Sequence, residues 1–170
     1  MIFGLQSIIF YLIDNFEIFS KISNKEIELK KVTKKLVTRL TRKYHTSDPC
    51  ELMDYLGIEH FEVPLGDRLG CYMLVQRSKC IFINSDIRSD DVHNIVCAHE
   101  LGHALQHPEI DSSYIGDFTI YSKAKIELEA NKFAAELLLP DDIKKEYEGM
   151  TIDEIAASLN VIPELVKLKY

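Results

Sequence analysis

The residues with the most evident chemistry are two histidines separated by three positions, in the run His99-Glu100-Leu101-Gly102-His103. Residues four apart on an α-helix differ by about 40° around the axis and about 6 Å along it, so both imidazoles can bind one tetrahedral ion. Glu100 lies about 100° from His99, outside the ligand cluster but within reach of a water molecule beside the ion. This HExxH pattern predicts a zinc site in which Glu100 is the catalytic general base of peptide hydrolysis.

The interpretation depends on the motif lying in a helix, since the alternative is a pair of solvent-facing histidines without a metal. Ser89 is predicted to cap such a helix, and Asp90 and Asp91 suit the positive end of its dipole. Pro108 cannot continue a helix, so the segment is predicted to end near His107. The motif therefore falls wholly inside one predicted helix.

A third protein ligand has to come from elsewhere in the chain. The extended pattern with a third histidine is excluded, because Gln106 and Glu109 occupy its glycine and histidine positions. His107 lies one further turn along the same face as the two ligand histidines. Its place beside Pro108 favours a helix-end histidine that interacts with the dipole over a metal ligand.

A later predicted helix, from about Lys123 to Leu138, is the better source of the third ligand. Glu127 and Asn131 share one stripe with alanines that let another helix approach, and a carboxylate in such a stripe needs neutralisation. Glu127 is therefore predicted to bind the metal. Asn131, one turn later, is predicted to orient a ligand histidine by hydrogen bonding to its other ring nitrogen. Glu129 is predicted to point elsewhere and to be exposed.

The remaining elements predict an α+β fold. A basic helix with apolar residues at helical spacing, among them Val32 and Leu40, precedes a short helix that Asp48 and Pro49 begin and Gly57 ends. Three strand-like runs follow at residues 60–64, 71–76 and 80–84, and two or three antiparallel strands are predicted from them. After Pro140, a capping box at residues 151–154 predicts two further short helical segments, around 155–159 and 163–169.

The size and composition fit one soluble globular domain, since 46% of the 170 residues are hydrophobic and 28% are charged. We predict a zinc metallopeptidase domain at residues 29–140, an apolar helical extension at 1–28 and a C-terminal helical segment at 141–170, packed on or next to the domain. The apolar stretch from Met1 to Ile13 is shorter than the ~20 residues of a membrane span and has no basic region before it. A cytoplasmic location with reduced cysteines is therefore expected.

The charge distribution limits the kinds of partner. A net charge of −7 argues against nucleic acid, because binding to duplex phosphates relies on cationic side chains. Residues 21–43 nevertheless carry nine Lys or Arg against two Glu, a balance of +7 that leaves −14 for the rest. This basic face is either solvated or a surface for an acidic protein partner. Neither direct nucleic-acid binding nor membrane binding is predicted.

Together these residues resemble the ImmA/IrrE family of zinc metallopeptidases. The resemblance covers about residues 29–139 and is carried by Lys43-Tyr44-His45-Thr46-Ser47-Asp48-Pro49, Ile81-Phe82-Ile83-Asn84, the run from Ala98 to His107, and the run from Glu127 to Pro140. It implies a minimal thermolysin-like (gluzincin) domain, in which a small, mostly antiparallel or mixed sheet packs on the HExxH helix and a second ligand-bearing helix.

The same resemblance implies that Glu127, which opens the Glu-x-x-Ala-Asn pattern, is the third zinc ligand. Family members are typically encoded by mobile elements or stress-response systems, and they cleave a helix-turn-helix repressor to relieve repression. A similar protein substrate is expected here.

Two functions of other classes fit part of the sequence. A zinc-containing binding module could inactivate a regulator by sequestration, but a purely structural metal site has no need of a general base, and Glu100 favours the enzyme. The segment from Thr151 to Lys169 has the length of a helix-turn-helix. Its basic side chains, Lys167 and Lys169, are outnumbered by acidic ones, so a packing or protein-binding role is favoured over DNA binding.

Overall fold

The computed structural model describes residues 23–110 and 120–170, and the side chains of 31–110 and 124–170. Within these residues the order of elements is α1 (Ser23–Tyr44), α2 (Pro49–Leu56), β1 (Glu59–Val63), β2 (Gly70–Val75), β3 (Ser78–Asn84), α3 (Asp90–Gln106), α4 (Ile120–Leu138), α5 (Ile143–Glu146), α6 (Ile152–Ser158) and α7 (Pro163–Lys169). The fold is α+β, as predicted. Of the extension predicted at residues 1–28, residues 1–22 lie outside the described part of the chain, and residues 23–28 belong to α1.

The three strands form one sheet in the order β1-β3-β2. β2 and β3 are an antiparallel hairpin in which Val75 pairs with Ser78, and the two connecting residues, Gln76 and Arg77, have φ values of 50° and 72°. Positive φ at both central residues matches the right-handed twist of the flanking strands. The antiparallel prediction is confirmed for this pair.

The antiparallel prediction is wrong for β1, which pairs in parallel with β3, with Phe61 opposite Phe82. The reason is the order of the strands in the sheet. β2 follows β1 in the chain but lies at the far edge, and β3 inserts between them. Two reversals of chain direction therefore bring β3 back parallel to β1, and the sheet is mixed.

Local capping signals fix several helix ends where they were predicted. Asp48 accepts a hydrogen bond from the Glu51 backbone N–H at 2.9 Å, and Gly57 ends α2 in the left-handed conformation. A reciprocal capping box between Thr151 and Glu154 begins α6. Ser89 precedes α3 in an extended conformation but makes no side-chain cap hydrogen bond. The predicted start of α3 after Ser89 is therefore confirmed, but the predicted hydrogen bond from the Ser89 side chain is not formed.

α3 and α4 pack against each other in the centre of the molecule and carry the candidate site. A Cβ atom at Gly102 of α3 would lie 3.1 Å from both the Cα and the carbonyl oxygen of Ala130 on α4, so the two backbones are nearly in contact. The core around this crossing contains buried side chains from the sheet, α3 and α4: Tyr72, Ile81, Ile83, Leu101 and Phe133. The close approach brings side chains of the two helices into one cluster.

The outer helices support this pair from either side. In α1 the inner face contains Thr33, Val37 and Leu40, whereas Val32, predicted on the apolar face, is exposed. Lys169 of α7 donates to the Glu136 and Leu139 carbonyl oxygens at 3.2 and 2.7 Å, at the C-terminal end of α4. Within residues 23–110 and 120–170, no helix combines the length and apolar character needed to cross a membrane.

Candidate metal and catalytic site

The structure brings together the three side chains predicted as metal ligands. The Nε2 atoms of His99 and His103, one turn apart on α3, are 3.0 Å from each other. Glu127 Oε2, from α4, lies 3.3 Å from His99 Nε2 and 3.5 Å from His103 Nε2. His103 and Glu127 are each 2% exposed, so the cluster is largely withdrawn from solvent.

The spacing of these atoms fits a tetrahedral metal ion. Zn–N and Zn–O bonds of about 2.0–2.2 Å place neighbouring ligand atoms roughly 3.3–3.5 Å apart. The three separations between ligand atoms, 3.0, 3.3 and 3.5 Å, are close to that range. Glu127 Oε2 is also buried without a well-directed hydrogen bond, which is costly unless another positive group satisfies it. The donor set therefore fits a divalent ion.

Asn131 lies where it can fix the orientation of one predicted ligand, His99. Its Oδ1 is 2.8 Å from His99 Nδ1 and can accept the hydrogen of that nitrogen. The lone pair of Nε2 then points into the cluster with His103 and Glu127. Asn131 is 8% exposed, so water competes little for this hydrogen bond.

The cluster is electrostatically coupled. Burial favours a lower pKa for His99, but the Glu127 carboxylate beside it and the nearby charge of Glu100 outweigh burial and raise that pKa to about 9. Burial would raise the pKa of Glu127, but His103 and His99 beside it hold that pKa well below its usual range. A metal ion binds only the unprotonated imidazole nitrogens, so its binding here is coupled to the protonation of the cluster.

Glu100 follows His99 on α3 and is 6% exposed. A Cβ atom added at Gly70, the first residue of β2, would lie 3.0 Å from Glu100 Cγ, 3.2 Å from Glu100 Oε1 and 2.8 Å from Val96 Cγ1. The absence of a side chain at Gly70 thus leaves room for the Glu100 carboxylate. Sequence reasoning missed this glycine, although an isolated glycine at the start of a strand is a signal of close approach.

Glu129 corrects one prediction. It was expected to be exposed, but it is 7% exposed, and its Oε2 is 2.9 Å from His107 Nε2. Burial would raise the pKa of Glu129, yet His107 and Lys125 outweigh burial and lower it. His107 directly follows the last residue of α3, as predicted, and contacts this second carboxylate rather than Glu127.

Comparison with known proteins adds independent information. Residues 53–169 match the family model described as the IrrE N-terminal-like domain. The chain is 40% identical over 144 residues to "Uncharacterized immunity region protein 2" of Bacillus phage phi105, which covers 80% of this chain and 87% of that protein. It is 29% identical over 134 residues to "Metallopeptidase ImmA" of Bacillus subtilis (strain 168), covering 74% and 76% of the two chains.

The family match includes β1 to α4, and with them every candidate ligand. It also continues through α7, beyond the limit at about residue 139 that the motifs alone indicated. The resemblance inferred from the motifs is confirmed, and the chain belongs to the ImmA/IrrE family of metallopeptidases.

Proposed function

We propose that this metallopeptidase is a zinc-dependent endopeptidase in which His99, His103 and Glu127 bind the ion and Glu100 is the general base. The observation that carries the proposal is the convergence of two imidazole nitrogens and one carboxylate oxygen within 3.5 Å of one another. Two imidazoles and one carboxylate, with a further position left for water or substrate, are the donor set of many catalytic zinc sites. Asn131 keeps His99 in the ligating tautomer.

The chemistry divides between the ion and the side chains around it. When bound, a zinc ion supplies Lewis acidity that polarises a peptide carbonyl and lowers the pKa of water. Glu100 accepts the proton of the attacking water and delivers it to the leaving amine. The burial of His103, Glu127 and Glu100 keeps bulk water from screening these charges. The charges therefore act on the reacting groups at close range.

For the substrate we propose a helix-turn-helix repressor in the cytoplasm. The relative from Bacillus phage phi105 is named an immunity region protein, which accords with the anti-repressor role that the family resemblance implies. The net charge of −7 favours contact with the repressor rather than with its DNA.

The purified chain is expected to cut such a repressor at one position. We would incubate the two proteins and identify the products by mass spectrometry. A chelator should abolish cleavage, because a site without its ion lacks the Lewis acid, and added zinc should restore it. Cleavage that persists unchanged in metal-free protein would contradict a zinc-dependent mechanism.

Gly70→Ala is expected to slow peptide hydrolysis while zinc content stays unchanged. The added methyl group would meet Val96 Cγ1 at 2.8 Å and Glu100 Cγ at 3.0 Å, so the general base must move, whereas none of the three nearest atoms belongs to His99, His103 or Glu127. A misplacement of ~1 Å can cost about 10²-fold in rate, so a shift of a few tenths of an ångström is expected to cost up to roughly 10-fold. The measurement is kcat beside zinc content.

The double variant Gly70→Ala/Val96→Ala separates the two contacts. It removes the clash with Val96 and keeps the one with Glu100, so hydrolysis should stay slow, and Val96→Ala alone is the matched control. Full recovery of kcat in the double variant would mean that the position of Glu100 is not what Gly70 controls.

A further inference from the structure

A second cluster of metal-binding side chains lies near the N-terminal part of α3. Cys50 is in the first turn of α2, and His93 and Cys97 are one turn apart on α3. Cys97 Sγ is 3.6 Å from Cys50 Sγ and 3.6 Å from His93 Nδ1. One donor atom from each of the three residues lies within 4.8 Å of the others. Two thiols and one imidazole, which are groups that bind thiophilic metal ions, therefore lie close together.

The separations agree with coordination of a single ion. Zn–S bonds of about 2.3 Å and Zn–N bonds of about 2.0–2.1 Å place tetrahedral sulfur atoms roughly 3.8 Å apart, and sulfur and nitrogen roughly 3.6 Å apart. The two measured distances are both 3.6 Å. Cys50 and Cys97 come from different helices, so this geometry is a tertiary arrangement and not a by-product of helical spacing alone.

The histidine of this cluster also has an orienting partner. His93 Nε2 lies 3.3 Å from Glu62 Oε1 on β1 and 3.9 Å from Cys97 Sγ, so both ring nitrogens are close to that sulfur. A hydrogen on Nε2 shared with Glu62 leaves Nδ1 as the unprotonated nitrogen, and a turn of the ring about its Cβ–Cγ bond would direct the Nδ1 lone pair at an ion between the two sulfurs. Cys50 is half-buried and the His93 side chain is 27% exposed, so an ion can enter from solvent.

We propose that Cys50, His93 and Cys97 form a second metal site, separate from the His99, His103 and Glu127 cluster, for a thiophilic ion of which zinc is the expected one. Each thiol releases its proton to solvent as its sulfur binds, and two thiolates neutralise the charge of a divalent ion. Glu62 orients His93, and solvent water completes the coordination. Bound metal would link α2 to the helix that carries the catalytic motif.

The test uses the full chain, kept reduced with a phosphine and stripped of metal, and titrates it with zinc against a chromogenic chelator. Two equivalents are expected for the parent protein and one for Cys50→Ser or His93→Gln, both of which change partly exposed residues. Cys80→Ser, which removes a buried thiol elsewhere, is the matched control and should keep two. His103→Ala should keep one, held by the cysteine site.

Cobalt(II) in place of zinc tells the two sites apart, because only thiolate ligands give an intense sulfur-to-cobalt charge-transfer band in the near ultraviolet. The band should persist in His103→Ala and disappear in Cys50→Ser and His93→Gln. If the catalytic site binds no metal, the parent protein takes up one equivalent and still shows the band. Failure of the proposed function can therefore be distinguished from failure of the second metal site.

Two results would overturn the second site. One is absence of the charge-transfer band from reduced parent protein, together with an unchanged zinc capacity in Cys50→Ser. The other is a disulfide between Cys50 and Cys97 in protein alkylated directly on cell lysis, seen as two thiols that escape alkylation and as one linked pair of peptides. That outcome would make the two thiols a disulfide-forming pair.

Discussion

Glu100→Gln is expected to lower the rate of peptide hydrolysis by about 10²- to 10⁴-fold, the usual contribution of a general base. The substitution keeps the size and most of the polarity of a side chain that is 6% exposed, but an amide cannot accept the proton of the attacking water. Zinc content and the unfolding transition should remain those of the parent protein, because Glu100 lies outside the ligand cluster. Single-turnover cleavage of the repressor measures the rate directly.

The same variant separates catalysis from sequestration in cells. Repressor co-expressed with Glu100→Gln should stay intact, with its target genes silent, whereas Glu109→Gln changes an exposed glutamate in the same way and should behave as the parent. Should Glu100→Gln relieve repression as well as the parent does, with no cleavage products in either case, binding without chemistry would be the better account.

Glu127→Ala is expected to lose zinc almost completely at concentrations where the parent protein is saturated. In the proposed site the buried Glu127 carboxylate supplies one of the three ligand atoms, and it lies within 3.5 Å of both imidazoles. Asn131→Ala removes only the group that orients His99, so its affinity for zinc should fall by about 10- to 100-fold. Competition with a chelator of known affinity gives both values, and circular dichroism verifies that each variant folds.

Glu129→Ala is the matched control for this series. Glu129 is on the same helix, is similarly buried and also contacts a histidine, but that histidine is His107. Its loss should leave zinc affinity unchanged. Retention of zinc by Glu127→Ala, combined with loss by Glu129→Ala, would show that the wrong carboxylate has been assigned to the metal.

The parts of the site that could be predicted from sequence are those that follow from spacing along one helix. The four-residue separation of His99 and His103 places both rings on one face whatever surrounds them. Glu127 could be placed beside the two histidines because the alanines near it indicate a close helix contact, and Ala130 does lie against Gly102. Capping residues such as Asp48 likewise act on their own helix, so α2 begins where it was predicted.

The features that were missed depend on which elements become neighbours in space. Glu129 is two positions from Glu127 and therefore about 200° away around the helix, which on a surface helix would place it in solvent. α4 is instead covered on nearly all sides: Ile126, Lys132 and Phe133 are buried as well. The sequence of α4 alone does not show that other elements also cover the face that carries Glu129.

The same reasoning applies to the sheet and to the cysteines. Alternating strand patterns predict that β1 and β3 exist but not that they pair in parallel, since both directions use the same alternation of faces. Cys50 and Cys97 are 47 positions apart, and their contact depends on how α2 docks on α3. Gly70 has its role only because β2 begins beside Glu100.

The strand order also constrains how the sheet can assemble. β2 and β3 are joined by two residues, and a hairpin of this kind closes on a scale of about 1–10 μs without help from the rest of the chain. β1 pairs with β3 alone among the described strands, so its ladder requires that β3 is already extended and that a longer loop closes. The edge of the sheet that borders Glu100, the proposed general base, can therefore form before the opposite edge, which carries Glu62, joins it.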